Sequence, residues 1–124
     1  MAEQFRITEI APADPADERG PTREWKFPEG IQITIYERKR GSRSKHFHKG
    51  EDPSKNPERL FLIKGKMRII FETNGVWVER ILTAGTELII WPPTRHEVEV
   101  LEDAIFVEYR VTHFNPDEPD SHNY

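Results

Sequence analysis

The chain has 124 residues, a formal net charge of −4 and no cysteine. That length fits one domain, and the acidic balance lacks the basic footprint of a nucleic-acid binder. The absence of thiols excludes disulfides and cysteine-based metal sites. Residues 1–5 have neither the charged n-region nor the apolar h-region of a secretory signal. No apolar run approaches the roughly 20 residues that span a bilayer. The expectation is a soluble cytoplasmic protein with no nucleic-acid or membrane partner.

Ten prolines and seven glycines fall mostly between apolar runs, as in chains of many strands and turns. Residues 5–10 (F-R-I-T-E-I) alternate and predict a short first strand. Residues 11–29 hold four prolines and many charges and read as a long arm, with a short extended piece around Trp25 and Phe27. Those two aromatics either cover a barrel mouth or a partner, or plug one end of the core. Residues 31–38 (I-Q-I-T-I-Y-E-R) alternate cleanly and predict a strand. The basic run that follows, Arg38 to Arg40 with Arg43 and Lys45, reads first as a solvated turn. Its second reading is an anion-facing rim.

Residues 44–48 are extended, and residues 49–57 form a polar loop with two prolines and a glycine. Residues 58–64 are apolar on both faces, as in a strand between packed layers. Residues 66–72 continue after a bend at Gly65. Asn74-Gly75 marks a tight hairpin turn to residues 76–82, because both central positions of that turn tolerate positive φ. Residues 86–91, 95–101 and 104–113 follow as strands, with a turn at Asp103, and residues 114–124 form an acidic tail. Helical periodicity is missing, so some nine short strands imply an all-β barrel or sandwich. The domain plan is an N-terminal strand and arm over residues 1–30, a barrel over 31–113 and a tail over 114–124.

Side chains alternate along a strand, so His46 and His48 share a face, with Cα atoms roughly 7 Å apart. His96 shares a face with Val98 and Val100, while Glu97 and Glu99 point the other way. His96 therefore points into the core. Glu58 goes inward with Leu60 and Leu62 by the same argument. A buried carboxylate is costly unless paired or metal-bound, and a divalent ion satisfies it together with three neutral imidazoles. The predicted ligands are His46, His48, Glu58 and His96, with Glu51 or Asp52 as the alternative carboxylate. This N3O set suits one divalent transition metal, Mn, Fe, Co, Ni, Cu or Zn. The other reading of these residues is an empty barrel with one histidine as general base.

At these residues the chain resembles the cupin superfamily. Gly41, His46, His48, Glu58 and Gly65 match the first cupin motif, and E-R-L-F-L-I-K-G reads like its common core strand. Gly85, Pro92 and His96 are close to the second motif, one residue short of its pattern. Nine residues separate His48 from Glu58, a longer interval than the pattern usually has, and Thr94 stands where a glycine is common. The resemblance covers residues 31–112 and implies a single-domain jelly-roll β-barrel with an N-terminal arm. In layout, Glu18-Arg19-Gly20, the His-x-His pair and the F-N-P-D-E-P-D tail are similar to cupins that epimerise or isomerise nucleotide-linked deoxysugars, among them the cupin domain of capsular polysaccharide-synthesising bifunctional enzymes.

The leading expectation is a metal-dependent enzyme acting on a small oxygenated substrate, of carbohydrate type, by epimerisation or isomerisation. The metal would make a C–H next to a carbonyl more acidic. Tyr36, Tyr109 and Glu108 are the candidates to take the proton; His113 and His122, near the tail, read as exposed. An Fe(II) dioxygenase and a non-catalytic metal- or ligand-binding module are the alternatives, because the fold hosts many activities. The two-sided strand at residues 58–64 and the proline-rich arm point to a homodimer.

Overall fold

The computed structural model describes residues 4, 6–13, 16–17, 20–28, 30–46, 57–91, 93–111 and 122. Eight strands form one antiparallel sheet among them: β1 (Ala16–Asp17), β2 (Gly20–Lys26), β3 (Gln32–Arg38), β4 (Arg43–His46), β5 (Glu58–Thr73), β6 (Val76–Thr83), β7 (Thr86–Ile90) and β8 (Arg95–Arg110). No helix among the described residues is long and apolar enough to cross a membrane.

β5 and β8 organise the sheet. Each is 16 residues long, and they pair with each other along most of their length. The first part of β5 pairs with β7 and the later part with β6. The first part of β8 pairs with β4 and the later part with β3, which in turn pairs with β2. Two half-sheets thus share the same two strands, and register shifts between Leu62 and Met67 bend one half over the other. The segments on either side of Gly65, and on either side of Asp103, are halves of single strands. Asp103 is a strand residue, because the irregularity there is a bulge rather than a reversal of the chain.

The N-terminal expectations also change. Residues 6–10 form no strand, and Phe5 lies outside the described residues. The stretch read as an arm contains β2, which pairs with β3 from Thr22–Tyr36 to Lys26–Gln32. Trp25, directly opposite Ile33, and Phe27 are both half-buried. The Asn74-Gly75 turn takes the positive φ angles of its type, 51° and 78°. His122 is half-buried rather than exposed, and His113 lies outside the described residues.

The apolar core is Leu62, Met67, Ile69, Leu82, Val100 and Ala104, with Phe71, Leu88, Val98 and Phe106 packed against it. Burying each large side chain contributes about 1.5–3 kcal/mol. β3 faces this interior with its polar set. Gln32 and Thr34 are 0 % exposed and Arg38 is buried, while Ile33 and Ile35 lie on the opposite, outer face. Such groups remain inside only with partners. Gln32 Nε2 donates to Thr34 Oγ1 at 3.3 Å, and Arg38 donates to the carbonyls of Gly20, Pro21 and Glu37 and to Thr22 Oγ1.

Candidate metal centre and cavity

A cavity of about 200 Å³ opens between the half-sheets. Glu58, His96, Ser44, Tyr36, Arg38 and Glu108 form its polar wall, and Leu60, Met67, Val98, Val100 and Phe106 line its apolar side.

Alternation along β8 turns His96 inward beside Val98 and Val100, and alternation along β5 turns Glu58 inward beside Leu60 and Leu62. His96 is 1 % exposed and Glu58 6 %. Their nearest polar atoms, Nε2 and Oε2, are 3.6 Å apart. His96 Nδ1 lies 3.2 Å from the Thr94 carbonyl oxygen. A carbonyl only accepts, so Nδ1 donates to it and Nε2 is the ring nitrogen turned toward the carboxylate, a metal donor when unprotonated. The 3.6 Å separation is longer than a hydrogen bond. It suits two donors to one cation, each about 2.0–2.2 Å from the metal. A second histidine approaches along the backbone, since β4 pairs with β8 so that His46 is the Cα partner of His96.

These residues fit a divalent ion by donor type and by the burial of a carboxylate against an imidazole nitrogen. The side chain of His46 and all of His48, Glu51 and Asp52 lie outside what is described. Among the described residues no group of three or more potential ligands comes together.

The three candidates for proton transfer separate. Tyr36 and Glu108 both line the cavity, and the Tyr36 hydroxyl donates to Glu108 Oε1 at 3.0 Å. Tyr109, one residue on, faces outward. Its hydroxyl donates to Glu87 Oε2 at 2.5 Å and its ring lies 5.8 Å from the Arg59 guanidinium, so Tyr109 is not part of the cavity. The Tyr36 ring stacks on Phe106 with centroids 4.9 Å apart, and the Arg38 guanidinium lies 4.9 Å from the Tyr36 ring. Burial raises the Tyr36 hydroxyl pKa well above its usual value of 10.0; the charge and hydrogen bond of Glu108 raise it further, and Arg110 opposes them.

Arg110 carries no reading from sequence, and Arg38 only that of the basic run. Arg110 Nη2 donates to Glu108 Oε1 in a buried ion pair, and Arg38 closes the cavity wall beside Tyr36. The signal for Arg110 was the i, i+2 spacing with Glu108, which puts both on one strand face. Arg38 sat in the basic run read first as a solvated turn; that holds for Lys39 and Arg40, which are exposed, and fails for Arg38.

The bent antiparallel sheet with its inner cavity is the jelly-roll β-barrel of the cupin fold. The capsular polysaccharide assembling protein CapF from Staphylococcus aureus aligns with a TM-score of 0.74 at 21 % identity, over 91 % of this chain and 34 % of that one. A variant of oxalate decarboxylase from B. subtilis aligns at 0.75 and 16 % identity, over 98 % and 34 %. Oxalate decarboxylase from Bacillus subtilis with Mn(II) centres aligns at 0.73 and 16 % identity, over 98 % and 34 %. This chain therefore spans about a third of the length of each of those proteins. No family model matches the sequence, and no curated protein matches it.

Proposed function

We propose that this cupin binds one divalent transition metal through His46, His48, Glu58 and His96 and catalyses proton transfer at a carbon next to a carbonyl, in an epimerisation or isomerisation of a carbohydrate. One observation carries the reading: a buried imidazole Nε2 faces a buried carboxylate at 3.6 Å on the wall of a cavity that also holds a hydrogen-bonded tyrosine–glutamate pair. The likeness to CapF, a capsular polysaccharide assembling protein, supports the carbohydrate class. The Mn(II) centres of a structural neighbour support the metal. A cavity of about 200 Å³ is smaller than the sites that enclose drug-sized ligands, so a sugar enters and anything attached to it stays outside.

A bound divalent ion would supply Lewis acidity toward a carbonyl oxygen. The chain's own residues handle the proton. The Tyr36 oxygen takes it from carbon while the hydroxyl proton passes to Glu108, and the C–H electron pair moves toward the carbonyl. Reversal returns a proton to carbon. Leu60, Val100 and Phe106 restrict water around the reacting atoms.

The test is hydrogen exchange in D₂O. Metal-loaded protein incubated with a keto-sugar nucleotide incorporates deuterium next to the carbonyl, and Tyr36→Phe slows this by about 10²–10⁴-fold. Stoichiometric iron in protein purified without added metal, with oxygen consumption and no exchange, would replace this reading by an oxygenase.

The reading includes a homodimer through the outer face of the half-sheet containing β2 and β3. Phe61 is 38 % and Ile63 48 % exposed there, beside Ile35, Ile105 and Val107. Arg23, Arg59, Glu37 and Glu87 share that face, so a second copy related by a twofold can meet opposite charges. Light scattering measures the mass. Phe61→Glu with Ile63→Glu gives the monomer, and a monomeric native protein rules the dimer out.

A further inference from the structure

β8 carries Glu108 and Arg110 on its inner face, and both are buried, 3 % and 4 % exposed. Arg110 Nη2 donates to the same oxygen, Oε1, that accepts the Tyr36 hydroxyl. On β3, the register partners of Glu108 and Arg110 are Thr34 and Gln32, both neutral and fully buried. On β5, the partner of Glu108 is Leu60. The cation is therefore set against Glu108, and the register partners named here are uncharged. Glu58 lines the same cavity, and burial of two carboxylates on one cavity favours protonation of one of them unless a cation opposes it. A guanidinium stays charged at any pH the fold survives.

We propose that Arg110 is a positioning residue that keeps Glu108 ionised, so that the proton shared with Tyr36 rests on the phenol, held against the carboxylate, and the cavity is offered the lone pairs of the Tyr36 oxygen. This rests on the reading of Tyr36 and Glu108 as the proton-handling pair. Among the described residues, the charged groups around Tyr36 are Glu108 and Arg110 on β8, Glu58 on β5 and Arg38 on its own strand, and His96 and Arg43 line the same cavity. On β2, neutral Thr22 is its register partner, with Glu24 and Lys26 further along. Among these, Arg110 is the cation hydrogen-bonded to the acceptor of the Tyr36 proton. Without it, Glu108 becomes a buried acid, and the hydrogen bond to Tyr36 loses its charged acceptor.

The experiment reads the protonation of Glu108 directly, by ¹³C NMR of glutamate side-chain carboxyls in metal-free protein without substrate. Glu108→Gln assigns the signal. Glu108 is expected to be ionised at neutral pH in the native protein and in Arg110→Lys. In Arg110→Met and Arg110→Gln its midpoint moves up by more than one pH unit, a tenfold or greater gain in proton affinity. A merely structural arginine would lower stability in these variants and leave the midpoint in place. A protonated Glu108 in the native protein at neutral pH, or an unmoved midpoint in a folded neutral variant, overturns the proposal. The native measurement and Arg110→Lys decide it even if neither neutral variant folds: a protonated Glu108 in either overturns the proposal, and an ionised Glu108 in both supports it. Failure of the deuterium-exchange assay with an ionised, Arg110-dependent Glu108 would count against the catalytic reading alone.

Discussion

Gly65 of β5 passes so close to Ala104 of β8 that a Cβ on Gly65 would stand 2.8 Å from the Ala104 Cα and overlap the Asp103 carbonyl oxygen. Gly65 also has φ +94°, in the left-handed region. The contact lies within the register shifts of the two long strands, where their outer face changes character. On one side of it charged pairs flank Ile70, Arg68 opposite Glu99 and Glu72 opposite Arg95. On the other the long strands pair Phe61 with Val107, and Arg59 lies further along.

Gly41 has φ +92° and nothing within 4 Å of its missing Cβ, so it isolates the backbone penalty. Gly41→Ala is expected to cost about 1–2 kcal/mol. Gly65→Ala adds overpacking to the same penalty and costs about 2–5 kcal/mol. Urea midpoints compare the two. Equal losses would mean that the Gly65–Ala104 approach places no demand on the sequence.

The same bend explains why the strand count from sequence was high. A bulge and a turn both break alternation by a residue or two, so Gly65 and Asp103 each divided one strand in the sequence reading. Alternation was most informative where one face holds valines and the other carboxylates, as around His96, whose burial follows from its neighbours. It gave the strand but not the inner face on β3, where period two marks two faces without saying which is inside. The isoleucines cover the outer face there, and the barrel keeps Gln32, Thr34, Tyr36 and Arg38 toward the interior. Residues 6–10 alternate too, but register with a partner strand makes a strand, and none of the strand pairings includes them.

Glu99 sets an acid limb of stability. Arg43 Nε donates to its Oε2 at 2.8 Å and Arg68 Nη2 lies 2.8 Å from its Oε1. The Arg43 hydrogen bond, followed by the charges of Arg43 and Arg68, lowers its pKa below the usual 4.5 despite some desolvation. A lowered folded-state value means the unfolded chain takes up the proton first. The contribution is therefore present above about pH 4.5 and is lost as pH falls through the folded value. Glu99→Gln should flatten the loss of stability between about pH 5 and 3, and salt should shrink the difference. Parallel acid limbs for the two proteins would show that the triad contributes nothing.

Tyr36 acts at the other end of the scale. Its raised folded-state value means that above pH 10 the unfolded chain releases a phenolic proton that the native state retains. Its contribution is complete below about pH 10 and declines as pH rises toward the folded value. Tyr36→Phe should reduce the alkaline loss of stability. At neutral pH it should cost about 1–3 kcal/mol, because buried Glu108 loses a donor. Urea unfolding at several pH values from neutral to alkaline measures both, and an ultraviolet titration shows which phenol has gone. A Tyr36 that ionises in the native protein at the ordinary tyrosine value would contradict the cavity geometry.

The metal reading leaves two places for the carboxylate. Glu58 faces His96 at 3.6 Å, whereas Glu51 and Asp52 belong to the loop between His48 and Glu58. An ion that binds only the folded chain stabilises it by about 2.7 kcal/mol at 100 times its dissociation constant. For a domain of this size that raises the melting temperature by roughly 10 °C. Chelator-treated protein given manganese, iron(II), nickel or zinc should show such a rise for at least one metal, with one ion bound per chain by mass spectrometry. His96→Ala and Glu58→Gln should abolish it, and Glu51→Gln with Asp52→Asn should leave it intact. If the loop pair abolishes it and Glu58→Gln does not, the carboxylate comes from the loop. If His96→Ala binds metal as the native protein does, the imidazole facing Glu58 is a core histidine and the cavity works without an ion.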